Sequence, residues 1–245
     1  MNLSRRILVL SIPGLLLLFS LTTPAQWEKK PYTEWTEKDA QKLLNDSPWG
    51  KTQSFDSAME LYRGPSSGRQ GQTTTPDRPA DAVHLFFRVR FLSAKPVRQA
   101  LTRQIELQQK GAMNEQLAAQ LKQFASGDFL EYIVVSVTSD ASSAGGNVQQ
   151  AAALLRRNNA VLKNATFLEI KGGKRIFLQE FQPAGTDAMG ARIGGRFIFQ
   201  RLVDGKPFIT PESEEIHFFA PLSDTYKLDR RFKIKDMMYE GKLEY

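Results

Sequence analysis

The chain has no cysteine, and this absence excludes several kinds of chemistry together. Without thiols there can be no disulfide framework, no thiolate metal site and no cysteine nucleophile. A lipid-anchored exported protein is excluded as well, because its anchor is attached to a cysteine at the cleavage point. The folded chain must therefore be held by its core alone, and 16 phenylalanines supply much of the apolar surface for one.

Long apolar runs are also scarce, and the single one lies within the first 25 residues. Two arginines precede an apolar stretch of 15 residues at 7–21, and small residues follow up to Ala25. This order is typical of a secretory signal peptide, for which we expect cleavage between Ala25 and Gln26. An uncleaved anchor is the less favoured alternative, because a spanning helix needs about 20 apolar residues. The sequence therefore predicts a periplasmic or secreted protein.

The charge balance of the remaining chain is mild. Cleavage removes two arginines from a chain of net charge +7, and no apolar run of 18 residues or more follows. We therefore expect no transmembrane segment after cleavage. The cations are interleaved with acids, so residues 227–235 are interpreted as one solvated face of a strand, and no nucleic-acid partner is expected. A protein or the anionic envelope surface is the predicted class of partner.

Local patterns predict a mixture of helices and strands. Thr36 with Asp39 three residues later resembles a capping box, which predicts a helix from Glu37 to Asn45. The predicted helices cover residues 37–45, 95–127 and 147–163, the second as either one kinked helix or a helical hairpin. The predicted strands cover residues 52–62, 83–92, 129–138 and, as antiparallel sheet, most of the chain after 166.

These elements indicate one domain of the α+β class over residues 26–245. We expect a mostly antiparallel sheet with two or three helices packed on one face. Residues 63–80 have no apolar pattern and are rich in glycine, proline, serine and threonine, which predicts a flexible loop. The segment before this loop has too few apolar residues to fold alone. The loop should therefore join two strands of one sheet.

Three tryptophans near the start of the mature chain allow two interpretations. Trp27, Trp35 and Trp49 could form an exposed aromatic patch that binds a ligand such as a carbohydrate. The favoured alternative is a small helix fixed to the main core by its indole rings, because each ring buries a large area.

The two histidines, His84 and His217, are the other candidate site, a polar one. Both fall in predicted strands, where packing is the favoured interpretation, and the nearest carboxylates to His217 in sequence are Glu214 and Glu215. Neither an HExxH helix nor a GxSxG turn is present, so we expect no catalytic residue, no metal site and no cofactor. The glycines between 185 and 195 predict a hairpin connection, because a strand follows them where a phosphate loop requires a helix.

Three segments carry a resemblance, namely residues 30–40 together with 47–49, residues 88–100 and residues 232–245. In combination they resemble an uncharacterised group of exported proteins of Gram-negative soil bacteria. The resemblance covers most of the mature chain and implies a location outside the cytoplasm. The resemblance implies no activity, no fold and no functional residue.

The sequence therefore predicts an exported non-catalytic protein, an interaction or binding module associated with the envelope. The alternative is an exported hydrolase whose catalytic residues are dispersed along the chain. A binding module should present an exposed apolar or aromatic patch. A hydrolase should instead have a pocket in which His84 or His217 meets carboxylates or a serine.

Overall fold

The structure is a computed structural model that describes residues 30–56, 84–109, 111–140, 148–155, 159–183 and 192–245. The predicted signal peptide, the predicted loop at 63–80, Trp27 and most of the glycine-rich segment lie outside the described residues. The helices are α1 Glu37–Asn45, α2 Lys95–Gln108, α3 Glu115–Ser126, α4 Val148–Leu155 and α5 Asn159–Ala165. The strands are β1 Gly50–Asp56, β2 His84–Phe91, β3 Tyr132–Asp140, β4 Phe167–Ile170, β5 Arg175–Phe177, β6 Glu180–Pro183, β7 Arg192–Gln200, β8 Leu202–Val203, β9 Lys206–Pro207, β10 Glu215–Pro221, β11 Lys227–Lys233, β12 Met238–Tyr239 and β13 Lys242–Leu243.

The strands confirm the predicted α+β class with mostly antiparallel pairing, and they divide between two main sheets. The five-stranded sheet has the order β1-β2-β3-β7-β6, and the four-stranded sheet has the order β11-β10-β4-β5. The predicted strand over residues 175–181 divides at Leu178, so that β5 joins one sheet and β6 joins the other. The predicted strand over residues 129–138 is present as β3, in the centre of the five-stranded sheet.

The two main sheets face each other across one hydrophobic core. Phe91 of the five-stranded sheet meets Phe232 of the four-stranded sheet with ring centroids 4.9 Å apart. Phe197 and Phe218 meet in the same way at 5.4 Å. Both pairs are close to edge-to-face, the arrangement that aromatic quadrupoles favour. We call the side of the four-stranded sheet that is turned away from this core its outer face.

The helices pack against the sheets and against one another. The segment after β2 forms a helical hairpin of α2 and α3, broken at Gly111, where φ is +81°. The predicted helix over 147–163 is present as α4 and α5 on either side of residues that are not described. Helix α4 packs on β2, β3 and β7, and α1 packs on α2. Within the described parts of the chain, no helix is long and apolar enough to cross a membrane.

Helix α1 has the predicted bounds and the predicted capping box. The Asp39 N–H donates to Thr36 Oγ1 at 3.2 Å, and the Thr36 N–H donates to Asp39 Oδ2 at 3.0 Å. Both groups would otherwise lack a partner at the helix start. The hydrogen bonds from Thr36 lower the pKa of the Asp39 carboxyl.

Replacement of Asp39 by alanine is expected to lower the free energy of unfolding at neutral pH by about 1 kcal/mol. Because the folded pKa is lowered, the contribution of Asp39 is present above the unfolded pKa and is lost as pH falls through the folded pKa. Urea unfolding at neutral and at acidic pH measures both effects, with Asp39→Asn as the variant that keeps an acceptor oxygen. Equal stability of Asp39→Ala and the unaltered protein at neutral pH would contradict the prediction.

Candidate functional site

The tryptophans that the structure describes belong to the core. Trp35 and Trp49 are both 0% exposed. The Trp35 indole N–H donates to the Lys30 carbonyl at 3.1 Å, and the Trp49 indole N–H donates to the Glu244 carbonyl at 2.8 Å. The prediction of an exposed aromatic patch is therefore wrong for Trp35 and Trp49, because burial of their large rings stabilises the fold. The alternative of a helix fixed by its indoles is confirmed for these two residues.

An aromatic cluster with one exposed member is present elsewhere, on the outer face of the four-stranded sheet. Phe177, Phe167 and Phe219 occupy neighbouring positions across β5, β4 and β10. The ring of Phe167 is stacked on Phe219 at 5.2 Å and lies 6.3 Å from Phe177, which is 55% exposed. The Arg175 guanidinium lies 4.2 Å from the centre of the Phe167 ring. We call Phe167, Phe177 and Phe219 the aromatic row.

A charged row runs beside the aromatic row. Arg175, Glu169, His217 and Arg231 occupy successive register positions on β5, β4, β10 and β11. The Arg175 side chain donates a hydrogen bond to Glu169. This bond lowers the pKa of the Glu169 carboxyl, against a smaller opposing effect of desolvation. The alternation of charges lets four strands pack long polar side chains side by side on one face.

His217 lies at the centre of this row between two carboxylates. Its Nε2 atom is 2.9 Å from Asp229 Oδ1, and its Nδ1 atom is 3.9 Å from Glu169 Oε1. The side chain is 11% exposed, and Nδ1 is buried without a hydrogen-bond partner. Within the described residues, Asp229 is the hydrogen-bonding partner of the ring, and the structure shows no serine or threonine hydroxyl bonded to it.

The carboxylates nearest to His217 in sequence are engaged with cations. Glu214 pairs with Lys171, and Glu215 Oε1 lies 2.7 Å from a nitrogen of Arg231. In the described part of the chain, no group of three or more histidine, aspartate or glutamate side chains is arranged to hold a metal ion.

The structure does not bring the two histidines together. His84 is the first residue of β2 in the five-stranded sheet, in register with Asp56 of β1. His217 belongs to β10 in the four-stranded sheet. The two histidines therefore do not form one polar site on adjacent strands.

A cationic groove continues from the charged row. It has a volume of about 600 Å³, and its lining includes Lys171, Pro211, Glu214, Glu215, Arg231, Lys233 and Lys235. Its two acids are the ones that pair with Lys171 and Arg231. Lys233 and Lys235 are exposed, and neither forms an ion pair with a described residue. The groove therefore carries uncompensated positive charge.

One residue of the groove has an unusual backbone conformation. Glu214 has φ +57° and ψ −58°, values close to those of the strained γ-turn. Its carbonyl accepts a hydrogen bond from the Ile234 N–H at 2.8 Å, which ties β10 to the segment that carries Lys235. Such strained residues are found where a surface has to be held in one shape.

No protein-family model, no curated protein and no solved structure matches the chain. The function of the candidate site is therefore interpreted from its geometry. The sequence interpretation of residues 227–235 as a solvated strand face is confirmed for residues 227–233, where Lys227, Asp229, Arg231 and Lys233 are exposed. Lys235 lies in a 3-10 turn that follows the strand. That interpretation missed the groove, although a cation at nearly every second position of the segment was a signal for it.

Proposed function

We propose that the protein is exported through a cleaved signal peptide and acts outside the cytoplasm as a non-catalytic binding module. Its partner is the anionic phospholipid surface of the bacterial envelope. The cationic start and short apolar stretch of the first 25 residues support export, as does the resemblance to exported proteins of Gram-negative soil bacteria. The binding surface is the outer face of the four-stranded sheet.

The observation that carries this proposal is the uncompensated charge of the cationic groove. Lys233 and Lys235 project from one edge of the sheet, and the acids of the groove are already paired with Lys171 and Arg231. A lysine close to an anionic membrane surface contributes about 1 kcal/mol to attachment. Phe177, at the opposite edge of the sheet, adds exposed apolar area on the same face.

Removal of both groove lysines is expected to weaken attachment to anionic vesicles. The double variant Lys233→Gln/Lys235→Gln should lose about 2 kcal/mol of binding, which is roughly 30-fold in affinity. Co-sedimentation with vesicles of phosphatidylglycerol and phosphatidylcholine measures this loss, and pure phosphatidylcholine vesicles should not bind.

The matched control removes the same charge elsewhere. Lys38→Gln/Lys122→Gln takes two exposed lysines from α1 and α3, outside the groove. Its affinity should stay close to that of the unaltered protein. An equal loss in both double variants, or equal binding to the two kinds of vesicle, would contradict the proposal.

The alternative function, an exported hydrolase, has one observation in its favour, the contact between His217 and Asp229. A triad places one ring nitrogen on an acid and the other on a nucleophile. In this protein the second nitrogen faces Glu169, and the ring is largely shielded from solvent. We therefore infer that His217 is structural and connects β4, β10 and β11.

A further inference from the structure

The edges of the two main sheets meet where β1 approaches β11. Gln53 of β1 connects them, because its side-chain amide donates to the Lys227 carbonyl at 2.8 Å and accepts from the Asp229 N–H at 3.0 Å. Beside this bridge lies a cleft of about 420 Å³. The described residues that line it are Lys51, Thr52, Asp229, Arg230 and Arg231. We call it the inter-sheet cleft.

Two cations occupy inward positions at this junction. Lys51 alternates along β1 with Thr52 and so shares the face of Gln53, which is buried. Arg230 shares the face of Leu228 and Phe232, both 0% exposed. An apolar side chain is the ordinary occupant of such positions, because a desolvated charge is costly without a partner.

Arg230 has no such partner within the described residues. Its Nε atom is buried and has no hydrogen-bond partner, and its guanidinium forms no ion pair. Desolvation lowers the pKa of Arg230, and the nearby charge of Asp229 only partly offsets that effect. A half-buried guanidinium with an unsatisfied Nε is available to bind an anion.

The other polar side chains of the cleft already have partners, which leaves Lys51 and Arg230 as its available cations. Arg231 is paired with Glu215 at 2.7 Å, and Asp229 Oδ1 lies 2.9 Å from the His217 ring. The Thr52 hydroxyl donates to the Asn45 carbonyl at 3.2 Å. Lys51 forms no ion pair with a described residue, so Lys51 and Arg230 are the two cations of the cleft that no ion pair holds, and the Asp229 carboxylate offsets only part of the Arg230 charge.

We propose that the inter-sheet cleft binds a phosphate monoester between Arg230 and Lys51. A monoester carries close to two negative charges at neutral pH, whereas a carboxylate would compensate only one of the cations. A guanidinium binds two phosphate oxygens at once, and an ammonium adds a point charge. The site is distinct from the cationic groove, with which it shares only Arg231.

The test is calorimetric and NMR titration of the purified full chain with inorganic phosphate at constant ionic strength. Arg230→Leu should weaken binding by about tenfold or more, because a charge-assisted pair is lost. Lys51→Gln should weaken it in the same direction. The control Lys227→Gln removes one exposed cation from the same strand, and its affinity should change by less than about twofold.

The Arg230→Leu variant is expected to fold, because a leucine at position 230 fits the apolar face that it shares with Leu228 and Phe232. Lys51→Gln tests the proposal independently if Arg230→Leu is poorly folded. Titration with glycerol 3-phosphate and with a soluble short-chain phosphatidic acid distinguishes a free phosphate ester from a lipid headgroup as the source of the phosphate group. Binding of either compound that depends on Arg230 supports the proposal, and the tighter one identifies the source.

Two results would overturn the proposal: no saturable binding of any phosphate compound, or an equal loss of affinity in Lys227→Gln. Arg230 and Lys51 would then act as inward charges that prevent pairing of sheet edges between molecules. The outcome of the vesicle experiment is independent of the outcome of the phosphate titration. Lys233→Gln/Lys235→Gln should keep its affinity for phosphate, and Arg230→Leu should keep its affinity for anionic vesicles.

Discussion

Replacement of Trp49 by alanine is expected to lower the free energy of unfolding by about 4 kcal/mol. The indole is 0% exposed, and its N–H donates to the Glu244 carbonyl at 2.8 Å. Its ring also meets Tyr239 edge to face, with centroids 6.1 Å apart. Alanine would therefore leave a large cavity and an unpaired buried carbonyl together. Urea unfolding followed by far-ultraviolet circular dichroism measures the change.

Trp49→Phe separates the two contributions. Phenylalanine keeps an aromatic ring in the cavity but lacks the indole N–H, so the Glu244 carbonyl stays unpaired. We expect a loss of about 2 kcal/mol for this variant, part from the hydrogen bond and part from the smaller ring. A loss below about 1 kcal/mol in Trp49→Ala would show that the ring is not part of the core.

Replacement of Arg98 by alanine is expected to lower the free energy of unfolding by about 3 kcal/mol or more. Arg98 is 1% exposed and lies in the first turns of α2. Its guanidinium donates to the carbonyls of Ser93, Phe124 and Gly127, which connects the turn before α2 to the end of α3. Without it, three backbone oxygens lose a donor in a buried place. Urea unfolding again provides the measurement.

Arg98→Lys is the informative control, because it keeps the positive charge and loses the planar donor geometry of the guanidinium. An ammonium on a flexible stem cannot bond three carbonyls in the fixed geometry of a guanidinium. We therefore expect Arg98→Lys to be intermediate between the unaltered protein and Arg98→Ala. Full stability of Arg98→Lys would mean that charge alone, and not geometry, holds the end of α3.

Sequence reasoning predicted best the features whose cause is local. The capping box of Thr36 and Asp39 lies within four consecutive residues and predicts the start of α1, and Ser47 followed by Pro48 predicts its end. The turn at Asp204 and Gly205 is a second example, because both residues have positive φ and an Asp-Gly pair is the sequence signal of such a hairpin turn. In each case the information needed is contained in a few neighbouring side chains.

Features that depend on strand register were not predictable. His217 was considered beside Glu214 and Glu215 because they are its neighbours along the chain. Its actual partners, Asp229 and Glu169, are brought in by β11 and β4. The transfer of the chain between sheets at Leu178 has no glycine or proline to mark it. Arg230 could not be assigned to the inward face without the same register.

The hydrogen bond between Trp49 and Glu244 has a consequence for the time course of folding. The two residues are 195 positions apart, and Gln53 reaches Lys227 across 174 positions. Contacts between residues so far apart in sequence form late, because the chain loses the entropy of a long loop before these contacts stabilise the fold. During synthesis the Trp49 indole and the edge of β1 therefore stay uncovered until residues 227–244 have been made. Over that interval the uncovered segments are open to chaperones.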